Sequence, residues 1–234
     1  MKVSTMRELL VQAEETWGEE IVIRYKSGKG TVAEKSYTDL RKDSEHFSDL
    51  LETLKVRGGH VALIGPTSYE WILSYFGTVN SGSVAVPLDA SLPAADVCEL
   101  VDRADAVVLV ADEARKDVLE AARIQCPKLR YLISMQKTED GDGILALPKL
   151  MEMTLEEMEP GTGARADLQP DQLASILFTS GTTGKSKGVM LTHRNLAENA
   201  TCLDMKFPER SVLLSVLPVH HAYCLSMDIL KGIS

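Results

Sequence analysis

The sequence predicts an α/β protein whose mostly parallel sheets are covered by helices. Three observations lead there. Short apolar runs, such as Val61, Ala62, Leu63 and Ile64, or Val107, Val108, Leu109 and Val110, read as strands buried on both faces. Between these runs lie segments with apolar residues at helical spacing. Each interval leaves room for the crossover helix that parallel pairing requires.

The elements follow in order. Residues 5–16 read as a short helix. Residues 21–25 and 31–37 read as two strands around a turn at 27–30, giving a hairpin. Thr38 is the expected cap of a helix carrying Leu40, Phe47, Leu50, Leu51 and Leu54, and Gly58-Gly59 is its expected stop. Strand 61–64 follows. Ser68 then caps a helix that carries Trp71, Ile72, Tyr75 and Phe76. The alternation continues through strand 84–87, helix 94–103, strand 107–110, helix 113–123 and strand 131–133.

Residues 1–135 are thus expected to form a first α/β lobe with an N-terminal hairpin. Residues 136–172 hold Gly141, Gly143, Pro160, Gly161, Gly163 and Pro170 around one helix-like stretch, 150–158. They read as a surface connection. Residues 173–234 are expected to begin a second α/β lobe: strand 174–178, a glycine-rich loop over 179–188, strand 188–191, helix 193–205 and strand 212–217. Both lobes are read as incomplete parts of one domain.

Composition narrows the function. In 234 residues, 44% are hydrophobic and 25% charged, which is ordinary for a globular protein. The formal net charge of -9 excludes nucleic acid binding through the overall field. An anionic ligand therefore needs local backbone N–H groups and lysines. Cys98, Cys126, Cys202 and Cys224 form no C-x-x-C pair and suggest no disulfide framework, which fits a reducing cytoplasm. Residues 1–20 are acidic and amphipathic rather than signal-like. No run approaches the roughly 18 apolar residues of a membrane helix, so no transmembrane segment is expected. Peripheral membrane contact stays open.

The informative stretch is Thr179-Ser180-Gly181-Thr182-Thr183-Gly184-Lys185-Ser186-Lys187-Gly188. Its glycines let the backbone approach a polyphosphate and aim N–H groups at it. Its hydroxyls add donors, and its lysines offset a repulsive net charge. A Walker loop needs a first glycine where Thr179 stands, and it should open into a helix; residues 188–191 read instead as a strand. A P-loop phosphotransferase is therefore the weaker alternative. A catalytically dead nucleotide-binding or interaction module is another.

The stretch 178–188, followed by Val189-Met190-Leu191-Thr192-His193-Arg194-Asn195-Leu196, resembles the signature loop of the adenylate-forming superfamily. Ser186 departs from that family's usual proline. Tyr37-Thr38-Asp39-Leu40, Gly59-His60-Val61-Ala62-Leu63 and Gly82-Ser83-Val84-Ala85-Val86-Pro87-Leu88 are similar to the family's earlier landmarks. Leu217-Pro218-Val219-His220-His221-Ala222-Tyr223 resembles the motif flooring its acid pocket. Long-chain acyl-CoA synthetases are the nearest kind.

The resemblance implies an AMP-forming acid–thiol ligase of the acyl-CoA synthetase type. A carboxylic acid, expected to be a fatty acid, attacks ATP to give acyl-AMP. Coenzyme A, or an acyl carrier protein, then takes the acyl group. It implies that Thr179, Ser180, Gly181, Thr182, Thr183, Gly184 and Lys187 bind the nucleotide phosphates. It gives Lys187 and His221 the catalytic roles and leaves Lys185 to solvent. No metal ligand is expected in this chain: the Mg2+ ligands, like the hinge and the C-terminal catalytic lysine, are expected downstream of Ser234. His221-x-x-Cys224 lacks the further ligands of a zinc site. Peptide-synthetase relatives hold a substrate ammonium with an aspartate where this chain has Ala222, which favours an acid without an amino group. The 234 residues alone are expected to be inactive.

Overall fold

The computed structural model describes residues 3–27, 30–157, 166–179, 186–202 and 211–234. Helix α1, Met6–Trp17, starts at a capping box: Thr5 accepts from the Glu8 N–H, and Glu8 reaches back to the cap. Strands β1, Ile21–Ser27, and β2, Thr31–Ser36, form the expected antiparallel hairpin. Helix α2, Tyr37–Thr53, follows without a break. Its cap is Ser36, not Thr38. Ser36 keeps the extended backbone of β2 and exchanges hydrogen bonds of 3.1 and 2.9 Å with Asp39, whereas Thr38 is already helical. The helix ends at Thr53, ahead of Gly58-Gly59.

The alternation then proceeds as expected. It runs through β3, His60–Ile64; α3, Tyr69–Asn80; β4, Val84–Leu88; α4, Ala94–Arg103; and β5, Ala106–Ala111. A 3-10 turn, Glu113–Arg115, precedes α5, Lys116–Gln125, and β6, Tyr131–Ser134. Next come β7, Ile144–Ala146; α6, Leu147–Glu157; β8, Leu173–Thr179; β9, Lys187–Thr192; and α7, His193–Cys202.

A seven-stranded sheet carries the fold, in the order β7-β6-β5-β3-β4-β8-β9. All pairs are parallel except β8–β9. Side-chain alternation gives the central strands β3, β4 and β5 two buried faces. Val61, Leu63, Val108 and Val110 join one core with α1, α2, α3 and α7; Ala62, Ile64, Leu109 and Ala111 join another with α4 and α5.

Three differences from the sequence reading stand out. Strands β8 and β9 do not open a separate sheet; β8 pairs with β4, and Ser175 Oγ donates to the Ala85 carbonyl at 2.9 Å. Hydrophobic pattern alone does not say which strand is a neighbour. The stretch read as a surface connection contributes β7, which extends the sheet beside β6 and is too short to show a period. Residues 212–217 form no strand. Val212, Leu214 and Val216 are 77%, 84% and 74% exposed, and no strand among the described residues pairs with them, so their backbone lacks a ladder partner. The chain then coils into a π-helical stretch, Cys224–Leu230, and a last turn, Lys231–Ile233.

Candidate active site

In a parallel sheet the carboxyl ends of the strands share one edge. Three of them are decisive here: β3 leads to Thr67, β4 to Asp89, and β8 to Thr179. After β3 the chain passes to α3 in one core, and after β4 to α4 in the other. The two connections therefore leave the carboxyl edge on opposite faces of the sheet.

The segment ending in the histidine pair bridges the carboxyl ends of β3 and β4. Thr67 Oγ1 donates a long hydrogen bond, 3.5 Å, to the Leu217 carbonyl. His220 Nε2 lies 3.5 Å from Asp89 Oδ2. The turn closes with the His221 N–H on the Pro218 carbonyl at 3.0 Å, and the His221 carbonyl accepts from Leu225 N at 3.0 Å, starting the helical stretch. His221 is exposed and its ring centroid is 4.2 Å from that of His220. Cys224 points away from any shared site with His221: its thiol donates to the Leu217 carbonyl at 3.1 Å.

Beside β4, β8 and β9 form the base of the glycine-rich loop. Thr179 and Lys187 are opposed across the two strands, both exposed, and Thr179 Oγ1 lies 3.5 Å from the Lys187 carbonyl. Lys187 makes no ion pair among the described residues. Ser180, Gly181, Thr182, Thr183 and Gly184 lie outside the described residues. The loop joins two antiparallel strands rather than a strand and a helix, which is not the Walker arrangement. The structure thus brings Thr179 and Lys187 together, while the ring next to His221 is that of His220.

Two residues at this edge carry no signal of their own in the sequence. Arg103, at the end of α4, donates to the Ser186 carbonyl at 2.7 Å and lies 5.6 Å from the centre of the Phe178 ring. It holds both sides of the loop's base. Arg115 donates to the carbonyls of Ala90 and Leu92, bracing the turn after β4. Asp89 was missed as well, although an aspartate two residues before Ser91 is an Asx-turn pattern that could have drawn attention to it; Ser91 N donates to Asp89 Oδ1 at 2.8 Å.

The family model described as AMP-binding enzyme matches residues 10–233. This chain belongs to that adenylate-forming family. A crotonobetaine/carnitine–CoA ligase of Escherichia coli is 29% identical over 94% of the chain. The chain spans 43% of that relative's length. Among solved structures, a Mycobacterium tuberculosis fatty acyl CoA synthetase matches with a TM-score of 0.77 at 22% identity, covering 99% of this chain and 43% of that one. An anthranilate CoA ligase in complex with anthranoyl-AMP matches with a TM-score of 0.73 at 21% identity, covering 84% of this chain and 36% of that one. These likenesses establish the fold. No helix among the described residues is long and apolar enough to cross a membrane.

Proposed function

We propose that this chain supplies the N-terminal part of an AMP-forming acid–thiol ligase that activates a carboxylic acid without an amino group, a fatty acid foremost. The observation that carries this reading is the β8–β9 hairpin, with Thr179 and Lys187 at its mouth, beside the carboxyl ends of β3 and β4 that the histidine segment bridges. In the first step a carboxylate oxygen attacks the α-phosphorus of ATP and pyrophosphate leaves. In the second, a coenzyme A thiolate attacks the acyl carbon and AMP leaves; a carrier-protein thiol is chemically equivalent.

The chain's own work is positioning and charge neutralisation. In this reading Lys187, Thr179, Ser180, Gly181, Thr182, Thr183 and Gly184 bind the nucleotide phosphates on the pyrophosphate side. His221 faces the carboxylate and α-phosphate. Magnesium, which the family resemblance implies, has no group of three His, Cys, Asp or Glu side chains to hold it among the described residues. The charge neutralisation that this chain offers comes from Lys187 and the loop.

Substrate choice follows from unpaired charge. A substrate ammonium entering beside Ala222 finds no carboxylate at that position. Asp228 is already engaged, accepting from Ser215 Oγ at 3.0 Å. Burying an unpartnered ammonium costs several kcal/mol, whereas each buried methylene of a fatty acid adds about 0.8 kcal/mol. The test is acid-dependent pyrophosphate exchange by an enzyme-length version, across fatty acids, aryl acids, amino acids, carnitine and crotonobetaine. Fatty acids should lead, and Ala222→Asp should narrow the gap to amino acids. Preference for a free amino acid overturns the reading, and preference for carnitine replaces the fatty acid with the relatives' substrate.

A further inference from the structure

We propose that Asp89 is a positioning residue for the histidine pair, fixing the His220 ring and, through it, the His221 ring. The inference rests on the ligase reading, which is what gives His221 a substrate to meet.

Asp89 follows β4 directly, at the carboxyl edge of the sheet. Its two oxygens are divided between two tasks. Oδ1 accepts from Ser91 N at 2.8 Å and from Ser91 Oγ at 2.7 Å. This leaves Oδ2 directed at His220 Nε2, 3.5 Å away. The turn cannot easily swing, because Arg115 donates to Ala90 and Leu92 carbonyls while pairing with both oxygens of Asp117 at 2.9 Å.

His220 needs such a partner. Its side chain is only 9% exposed, and Nε2 makes no conventional hydrogen bond. A buried imidazole nitrogen left alone is costly, and the Asp89 carboxylate is the acceptor that favours the tautomer protonated at Nε2. The groups facing His220 are Asp89 and His221. Burial pushes the His220 pKa down and His221 adds to that, while Asp89 opposes both. For Asp89, burial acts upward, but the Ser91 hydrogen bonds and the two histidines leave its carboxyl below the usual range. Asp89 is therefore ionised at neutral pH and able to hold its neighbour.

The test has two arms. In the 234-residue chain, the ring proton of His220 is followed by NMR against pH, with His220→Asn and His221→Asn for assignment. Asp89→Asn should lower the His220 midpoint by about one pH unit, the shift expected on losing a close carboxylate. Asp89→Glu, which keeps the charge, should restore part of it. In an enzyme-length version, Asp89→Asn should lower kcat for acid-dependent pyrophosphate exchange roughly 10- to 100-fold, by analogy with the loss on removing the partner that orients a metal-bound histidine. The pH profile should move and KM for ATP should stay. An unchanged His220 midpoint, or exchange with wild-type rate and pH profile in Asp89→Asn, overturns the proposal. Wild-type protein without any acid-dependent exchange overturns the ligase reading itself, and Asp89 loses its role with it.

Discussion

His193 follows β9 immediately and is fully buried, with Nδ1 accepting from the Met6 N–H at 3.3 Å. That bond ties α7 to the start of α1. Burial, with the Arg7 charge adding to it, pushes the His193 pKa down to about 4. The folded value lies below the unfolded one, near 6.5, so the unfolded chain binds the extra proton. Stability is thus intact above about pH 6.5 and lost as pH falls from there towards 4, by up to about 3 kcal/mol. His193→Asn keeps an acceptor for Met6 but cannot titrate. Its urea midpoint should fall less steeply than wild type between pH 6.5 and 5; equal slopes remove His193 as the cause. At the loop, Lys187→Ala in an enzyme-length version should lower pyrophosphate exchange roughly 100- to 1,000-fold, and Lys185→Ala much less. Equal losses sink the division of roles between these lysines. Lys187 draws attention in the sequence because a glycine-rich run with spaced lysines has a chemical meaning by itself. Asp89, Arg103 and Arg115 do not, because their roles arise from partners distant in the chain, such as His220 and Ser186.

Helices α2 and α3 meet where Gly77 lies against Phe47. A Cβ built on Gly77 would sit 2.6 Å from Phe47 Cβ and 2.7 Å from the Ser44 carbonyl oxygen. Alanine in a helix is ordinarily favoured over glycine by about 1 kcal/mol. Here overpacking should outweigh that gain, since forced insertion into a tight contact costs about 1–3 kcal/mol. Gly77→Ala should therefore lower the melting temperature, and a stabilised variant would disprove the close approach. Glycine 77 looked like an ordinary helix position in sequence, because only the packing partner makes it special. The elements themselves were largely legible. Helix α4 was expected at 94–103 and occupies Ala94–Arg103, since its apolar residues have one clear period. The strands β3, β4 and β5 were equally plain as apolar runs. What the pattern could not give was pairing: β8 beside β4, β7 beside β6, and no ladder for 212–217.

At the scale of the molecule, several large apolar side chains are exposed. Met190 on β9 is 68% exposed, and Val212, Leu214, Val216 and Tyr223 are 77%, 84%, 74% and 65% exposed. Such surface promotes association. The 234-residue chain should sediment as self-associated species at micromolar concentration, and Leu214→Lys with Val216→Lys should shift it towards monomer. Monodisperse wild-type monomer contradicts this expectation. The placement of β8 has a separate consequence, in time rather than space. Its contact with β4 joins Ala85 to Ser175, partners 90 residues apart. At ribosomal rates of about 5–20 residues per second, that interval takes roughly 5–20 s. For those seconds β3, β4 and β5 can already pair, while the flank of β4 that will receive β8 has no mate and presents unpaired N–H and C=O groups. During synthesis this strand is the nascent chain's point of vulnerability, and the place where a chaperone would have something to hold.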